Sequence, residues 1–558
     1  MQLDATTLPV GGAASAERRR GPAGWRSRGR AGELAGARAG VRAGALALGG
    51  IVALSLFVVL MAANRPSVLT PTTHVGYFPR WMAGPLGGLL PGLTNNGTTL
   101  KLLFTGALVL MYGGYVVVLR HTPRLPPRWV IATIVAAHVI FLMSPPLALT
   151  DLFNYVNYAR MEVVHNLNPY TTIPILEPHN DPSYVLSNWR ELLSPYGPLF
   201  TLLTFIVVPL GVAGSFWALK AILMATSLGM ILLVWKSARL LGRDPLLAIA
   251  FVGLNPIVLI WGLGGEHNDF LMMFFIMLCF YLLLRARATA QAARAGTDAG
   301  AGAGASAGAD DAASGERRVR LEELTSLRRV RAALWPPAPL ELGAGVALVT
   351  AVGIKASAAV LVPVVLAGLA RTPRALAQLV FGMIVAGVAV AGASLLAFGL
   401  HIPDLSTQGS VVTSESVPNL IGLAAGAGGE TAGLRTALSG VLILLVLGCC
   451  WVALGSGRRW SAPGETGGVG RAIMASGWAS VALLVTLSWV LPWYVLWILP
   501  LAAIAGSRRL RTTALVLGVY LIVAWSPASG LLWKAIHFYP EKTPLGRLHQ
   551  RAVKELLD

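Results

Sequence analysis

Residues 251–284 read FVGLNPIVLIWGLGGEHNDFLMMFFIMLCFYLLL. Two apolar runs, about 246–262 and 269–285, flank Gly264-Gly265-Glu266-His267-Asn268-Asp269. Each approaches the ~20 residues that a helix needs to cross a bilayer. The join has no slack, so it calls for glycine, and it sets Glu266, His267 and Asp269 together at one membrane surface. Runs of the same kind recur on both sides, at about 43–62, 100–119, 129–149, 198–235, 341–354, 357–370, 375–399, 433–454, 472–490, 494–506 and 512–530. The 558 residues are 55% hydrophobic and only 12% charged, with a mean hydropathy of +0.66. Soluble domains carry about a quarter charged residues. The pattern excludes an ordinary soluble enzyme and predicts one all-α polytopic membrane domain.

Basic linkers assign the sides. Arg120, Arg124 and Arg128 lie in one, Lys236, Arg239 and Arg243 in another, and Arg371 with Arg374, Arg458 with Arg459, and Arg508, Arg509 and Arg511 mark three more. Cytoplasmic loops collect such residues, in keeping with a net charge of +19 for the whole chain. Few of them alternate with aromatics, so nucleic acid is not the expected partner. Segments 63–99, 151–197 and 401–432 are poor in basic residues and belong outside. About 13 spans result, with the N-terminus cytoplasmic and the C-terminus outside. Residues 198–212 lie on or re-enter the outer surface, and 217–235 cross. Segment 341–370 divides into two short spans with Lys355 at the outer turn between them. The expected layout is a disordered basic tail over 1–42, a transmembrane part over 43–285 containing the outer loop 151–197, a low-complexity cytoplasmic linker over 286–340, a second transmembrane part over 341–530, and a tail over 531–558. The first run is too long for a typical signal-peptide core and reads as an uncleaved span.

The outward face gathers the unusual residues. Charged groups at membrane depth are costly and tend to face a functional cavity. Asp151 follows a span directly; it serves either as a general base or as a helix cap. The loop after it, with Asn154, Tyr155, Arg160, Asn168, Tyr170 and Tyr196, is rich in aromatics and amides, which suit sugar hydroxyls and an interfacial belt equally. Lys355 interrupts thirty apolar residues; it binds a phosphate as a point charge or snorkels to the interface. Glu266 or His267 is expected to take part in the site, and Asp269 to take part or cap the next helix. No Asp-x-Asp and no P-loop is present. No His or Cys pair has metal-ligand spacing, so neither metal nor other cofactor is assigned. Cys279, Cys449 and Cys450 sit within apolar runs and read as small hydrophobes. Asn96-Gly97-Thr98 fits a short glycosylation pattern.

Several strings in order resemble one family: Asp151-Leu152-Phe153-Asn154-Tyr155, then Arg160, Leu167-Asn168-Pro169-Tyr170, Tyr196-Gly197-Pro198-Leu199, Leu254-Asn255-Pro256, Gly264 to Asp269, and Leu491-Pro492-Trp493-Tyr494. They resemble the actinobacterial polyprenol-phosphate-mannose-dependent alpha-1,6-mannosyltransferases, GT-C fold membrane enzymes of lipomannan and lipoarabinomannan synthesis. The resemblance runs from about Pro126 to Trp525. It implies a large first outer loop carrying the catalytic acid residue, a position that Asp151 matches. It implies polyprenyl-phosphate-mannose as donor, a lipid-anchored mannan as acceptor, and a multi-pass protein of the plasma membrane with its site on the extracytoplasmic face. Lys355 and His267 would then bind the departing phosphate. Tyr155, Arg160, Asn168, Tyr170 and Tyr196 would shape the acceptor side. Trp493 and Tyr494 would stack on sugar or lipid, and Glu266 or Asp269 is the second choice of base. Tyr196-Gly197-Pro198 departs from the Tyr-Pro-Pro of related GT-C families. The alternatives are a transporter or flippase of a lipid-linked or polar solute and a GT-C transferase of another sugar.

Overall fold

A computed structural model describes residues 23–63, 69, 79–89, 96–147, 151–302, 334–403, 412–455 and 467–537, with side chains described from 36 onward in the first segment and up to 294 in the fifth. Among the described residues there is no β-strand. The helices are α1 Ala23–Ala62, α2 Gly97–His121, α3 Pro127–Leu142, α4 Asp151–His165, α5 Pro198–Val207, α6 Gly211–Leu240, α7 Pro245–Gly253, α8 Asp269–Gly302 and α9 Pro339–Ile354. They continue as α10 Val362–Leu369, α11 Pro373–Phe398, α12 Val417–Ala424, α13 Ala432–Leu454, α14 Gly467–Thr486, α15 Leu499–Ile504, α16 Arg508–Trp525 and α17 Ser529–Ala535.

Among the described residues, seven segments are long and apolar enough to cross a membrane: Gly36–Ala62, Gly97–Arg124, Pro198–Leu240, Asp269–Arg294, Pro373–Phe398, Ala432–Leu454 and Gly467–Thr486. An eighth is α16 with α17, bent by 77°. Four shorter apolar helical segments, Pro127–Leu142, Pro339–Ile354, Ala356–Leu369 and Pro492–Ile504, complete the apolar set. The chain is a multi-pass membrane protein, but the expected 13 crossings are not matched one for one. Several runs are broken where the backbone demands it. The run 246–262 ends its α-helix at Gly253; Asn255 then accepts from the Ile257 amide and a π-helical turn spans Val258–Leu263. Pro256 has no N–H to continue the ladder. The run 198–235 is continuous from α5 to α6 except for a short 3-10 turn at Val208–Leu210. The helical path also begins at Ala23, inside the stretch expected to be irregular, and α8 reaches Gly302, inside the expected linker. Residues 1–22 of the first stretch and 303–333 of the second lie outside the described residues.

Two layers are distinguishable by burial. Helices α8 and α14 run through the interior, whereas α11 and α13 present most of their surface outward, with Leu396 and Leu444 exposed. Helix α9 packs between α8 and α11. Its crossing with α11 is set by two glycines. A Cβ on Gly345 would stand 2.0 Å from the Leu379 carbonyl oxygen, and one on Gly382 would stand 2.1 Å from that of Leu342. Small residues let membrane helices approach backbone to backbone, where dispersion replaces the hydrophobic drive that lipid cannot supply. Asn96 caps α2 by accepting from the Thr98 and Thr99 amides. Cys279 is buried in α8, and Cys449 and Cys450 are half-buried free thiols on α13.

Gly345→Val is expected to force α9 and α11 apart, an overpacking cost of at least ~1–3 kcal/mol. The purified variant should aggregate or lose several degrees in thermal unfolding. Gly387→Ala on the outward side of α11, where a Cβ meets nothing within 4 Å, should behave as the parent.

Candidate active site

The site is built from helix ends. The turn from Gly264 to Asn268 enters α8 at Asp269. Its glycines are required by close approach: a Cβ would lie 2.3 Å from the Ile260 oxygen at Gly264 and 2.3 Å from the Trp261 oxygen at Gly265. Glu266 is held at φ +63°, a left-handed conformation uncommon outside glycine.

Each residue after the glycines is held by a different part of the protein. Glu266 forms a buried ion pair with Lys220 of α6, at 2.7 Å. Lys220 also donates to the Ser144 carbonyl and, at 3.2 Å, to its hydroxyl. His267 Nδ1 stands 3.0 Å from Asp151 Oδ2, at the first turn of α4. The His267 ring lies flat on Trp493, with centroids 3.5 Å apart and planes 5° from parallel. The Asn268 amide donates to the Tyr155 hydroxyl at 3.2 Å. Asp269 receives Lys355 Nζ on both oxygens, at 2.8 and 2.9 Å, and the Trp497 indole N–H on one. Lys355 sits at the break after α9 in extended backbone, with Nζ 5.0 Å from the Tyr494 ring centroid and 5.6 Å from that of Trp497. His267 is buried, while the Asp151 and Lys355 side chains keep 13% and 20% exposure and open the site to a ligand.

Several buried side-chain polar atoms here have no hydrogen-bond partner: His267 Nε2, Asn268 Oδ1 and Nδ2, the Tyr196 hydroxyl and the Trp493 indole nitrogen. Buried polar groups are nearly always satisfied. A cluster of unsatisfied ones beside an accessible carboxylate and an accessible ammonium fits a ligand rich in hydroxyls and phosphate oxygens. Among the described residues no three His, Cys, Asp or Glu side chains gather to hold a metal ion.

The loop after α4 is folded back and held by an internal ion-pair network. Arg160 binds Asp181 through Nε and Nη2, and His165 Nε2 lies 2.8 Å from the same carboxylate. Burial alone would raise the Asp181 pKa, but Arg160, Ser183 and His165 outweigh it and hold the carboxyl below the usual range. Burial pushes the neighbouring Glu177 up to about 7, against the pull of Asn157, Arg160 and Arg190. Tyr170 donates to the Tyr196 carbonyl, and Asn168 donates to the Phe398 carbonyl while accepting from the Tyr170 amide. Tyr155 meets Tyr196 and Phe200 edge-on, each at 4.7 Å.

The expected residues therefore divide. Asp151, His267, Lys355, Asp269, Trp493, Tyr494, Tyr155 and Tyr196 converge. Glu266, expected to take part in the site and named as a second choice of base, is instead buried against Lys220. Arg160, Asn168 and Tyr170 are occupied in holding the loop. The sequence reading assigned nothing to Lys220 or Trp497. Lys220 also interrupts an apolar run, which was the available signal; Trp497 had none. Gly197 accounts for the departure from Tyr-Pro-Pro. A Cβ there would lie 2.2 Å from the Gly353 oxygen, and the Gly197 amide donates to the Ile354 carbonyl at 3.1 Å. Glycine seats the loop against the helix end that carries Lys355, and proline would remove that donor.

A family model described as Alpha-(1->6)-mannopyranosyltransferase, N-terminal domain, matches residues 53–371, more than half of the chain. The chain belongs to this family. A model of the MptB C-terminal domain matches residues 418–539. An alpha-(1->6)-mannopyranosyltransferase of Mycobacterium tuberculosis is 28% identical over 415 residues, covering 68% of this chain and 66% of the relative. Alpha-(1->6)-mannopyranosyltransferase A of the same organism is 34% identical over 24% of this chain and 26% of its own length. The protein of that name from Corynebacterium glutamicum is 27% identical over 28% of this chain and 33% of its own length. The chain thus spans just under two thirds of the first relative and about a third or less of the other two. No solved structure matches the chain.

Gly197→Pro is expected to lose the amide donor and clash with Gly353, lowering thermal stability by several degrees and any site activity by at least tenfold. Gly197→Ala, which keeps the amide, should fall between it and the parent.

Proposed function

We propose that the chain is a membrane glycosyltransferase of the GT-C type that transfers mannose from a polyprenyl-phosphate donor to a mannan acceptor, forming alpha-1,6 linkages. The observation that carries this reading is the placement of an accessible carboxylate, Asp151, beside His267 stacked on Trp493, with the Lys355 ammonium in the same site. Family membership supports the sugar and the linkage. Polyprenyl-phosphate-mannose as donor, an acceptor on lipomannan or lipoarabinomannan, and a site on the extracytoplasmic face of the plasma membrane complete the proposal, with the basic linkers inside.

The chemistry is a single displacement. Asp151 takes the proton of an acceptor hydroxyl as its oxygen attacks the anomeric carbon. The new carbon–oxygen bond forms as the bond from that carbon to the phosphate oxygen breaks. The electron pair leaves on polyprenyl phosphate. One displacement inverts the centre, so an α-linked product requires a β-linked donor. His267 lies against Asp151 and keeps the carboxylate in position. Lys355 has three N–H donors and spends two on Asp269. The third is available to the phosphate, where negative charge grows in the transition state. Tyr196, Asn268 and Trp493 offer their unpaired polar atoms to sugar hydroxyls.

The test is a transfer assay with radiolabelled polyprenyl-phosphate mannose and a short alpha-1,6-mannoside. Wild type should extend the acceptor, and Asp151→Asn should fall by about 10²–10⁴ in kcat at unchanged thermal stability. Full activity in that variant removes Asp151 as base, and no product with folded wild type refutes the donor.

Lys355→Met combined with Asp269→Asn removes the ion pair without stranding a charge. The double variant should keep its fold and raise the apparent KM for donor about tenfold or more, the loss of one charge-assisted hydrogen bond. An unchanged donor KM counts against the phosphate role.

A further inference from the structure

A second, separate feature lies at the other end of the bundle. Arg287 is 18 residues along α8 from Asp269, roughly 27 Å at helical rise, about the thickness of the hydrocarbon core. There a cavity of about 430 Å³ opens between α8, the α10–α11 junction and the start of α14. Its volume is that of a small-molecule site. Arg287, Arg371 and Arg471 line it, Arg294 lines it too but has a partner of its own, and Glu341 is the one carboxylate among its described lining residues.

The guanidiniums are fitted into place. Arg287 lies against Gly467, where a Cβ would fall 2.1 Å from Nη1, and Arg471 lies against Gly455, where a Cβ would fall 2.8 Å from Cζ. Both glycines have positive φ, +64° and +79°, so two backbone turns leave space for the two side chains. The Arg287 Nε is buried with no hydrogen-bond partner, and Arg287 and Arg471 repel one another. Arg371 stands exposed at the rim. Like charges gathered in a half-enclosed space are costly unless an anion joins them. The planar fork of arginine matches phosphate oxygens two at a time. Basic pockets between membrane helices at the cytoplasmic surface take anionic head groups.

We propose that this cavity binds a phosphate group, on the face opposite the Asp151 site. The source is an anionic lipid head group or a free phosphate compound. The site is independent of the transfer chemistry.

The test uses the full chain in phosphatidylcholine nanodiscs and reads thermal unfolding by tryptophan fluorescence. One arm adds increasing phosphatidylglycerol, and the other adds inorganic phosphate or pyrophosphate. Variants are Arg371→Gln alone, Arg371→Gln with Arg471→Gln, and Arg509→Gln as a control on the same basic face. The expected result is a saturable rise of at least about 3 °C in wild type and in Arg509→Gln, halved or worse in both Arg371 variants. A rise with phosphatidylglycerol alone assigns a lipid head group. A rise with phosphate or pyrophosphate as well assigns the phosphate group itself. No saturable rise in either arm, or an undiminished rise in the Arg371 variants, overturns the proposal. The exposed single variant keeps the test valid if the double variant does not fold.

Discussion

Four consecutive residues, Glu266 to Asp269, are each held from a different direction, and the site depends on this turn. Lys220 of α6 holds Glu266, Asp151 of α4 meets His267, Tyr155 accepts from the Asn268 amide, and Lys355 beyond α9 holds Asp269. An unpaired charge in a buried position costs several kcal/mol. Displacing α6 or α9 would strand a carboxylate in the turn, and displacing α4 would leave the His267 ring and the Asn268 amide without their partners. The electrostatics of the turn thereby tie together α4, α6, α8 and α9, which are far apart in sequence. The glycines allow the turn to be this tight, and the left-handed Glu266 is the strain that the Lys220 pair keeps in place.

The same constraint explains why so many helices are broken near the site. Irregular backbone at membrane depth is tolerated only where protein or a cavity satisfies it. The π-turn at Val258–Leu263, the extended Lys355 and the 3-10 turn at Pro492–Trp497 all meet around the same space. The breaks bring aromatic side chains to the charged groups. Trp493 reaches His267, and Tyr494 and Trp497 flank Lys355. The result is a set of polar groups held by rigid elements before any substrate arrives, the arrangement that electrostatic catalysis needs.

Much of this was legible in the sequence, for local reasons. The glycine pair between two apolar runs announced a tight turn, and a lysine in the middle of apolar residues announced a break. The carboxylate that follows a span marked the site's mouth. What was not legible is tertiary. Asp151 and His267 are distant in sequence, and nothing local says that they touch. Lys220 carries no local signal of a role beyond interrupting an apolar run, because its partner is 46 residues away. The inward turn of Glu266 follows from that pair and could not be foreseen without it. The breaks within apolar runs were not legible for a related reason: hydropathy records how apolar a run is, not where Asn255 and Pro256 divide it. Gly197 looked like a departure from a motif and proved to be a contact with the Gly353 carbonyl.

In the proposed mechanism His267 acts on the transfer through Asp151. A double-mutant cycle on the transfer rate tests it most directly, with Asp151→Asn, His267→Gln and both together. Coupled residues give non-additive effects. The account predicts that the double variant is no slower than Asp151→Asn alone, within about twofold. A double variant slower by the full product of the two single losses would show that the two residues act independently and would contradict it.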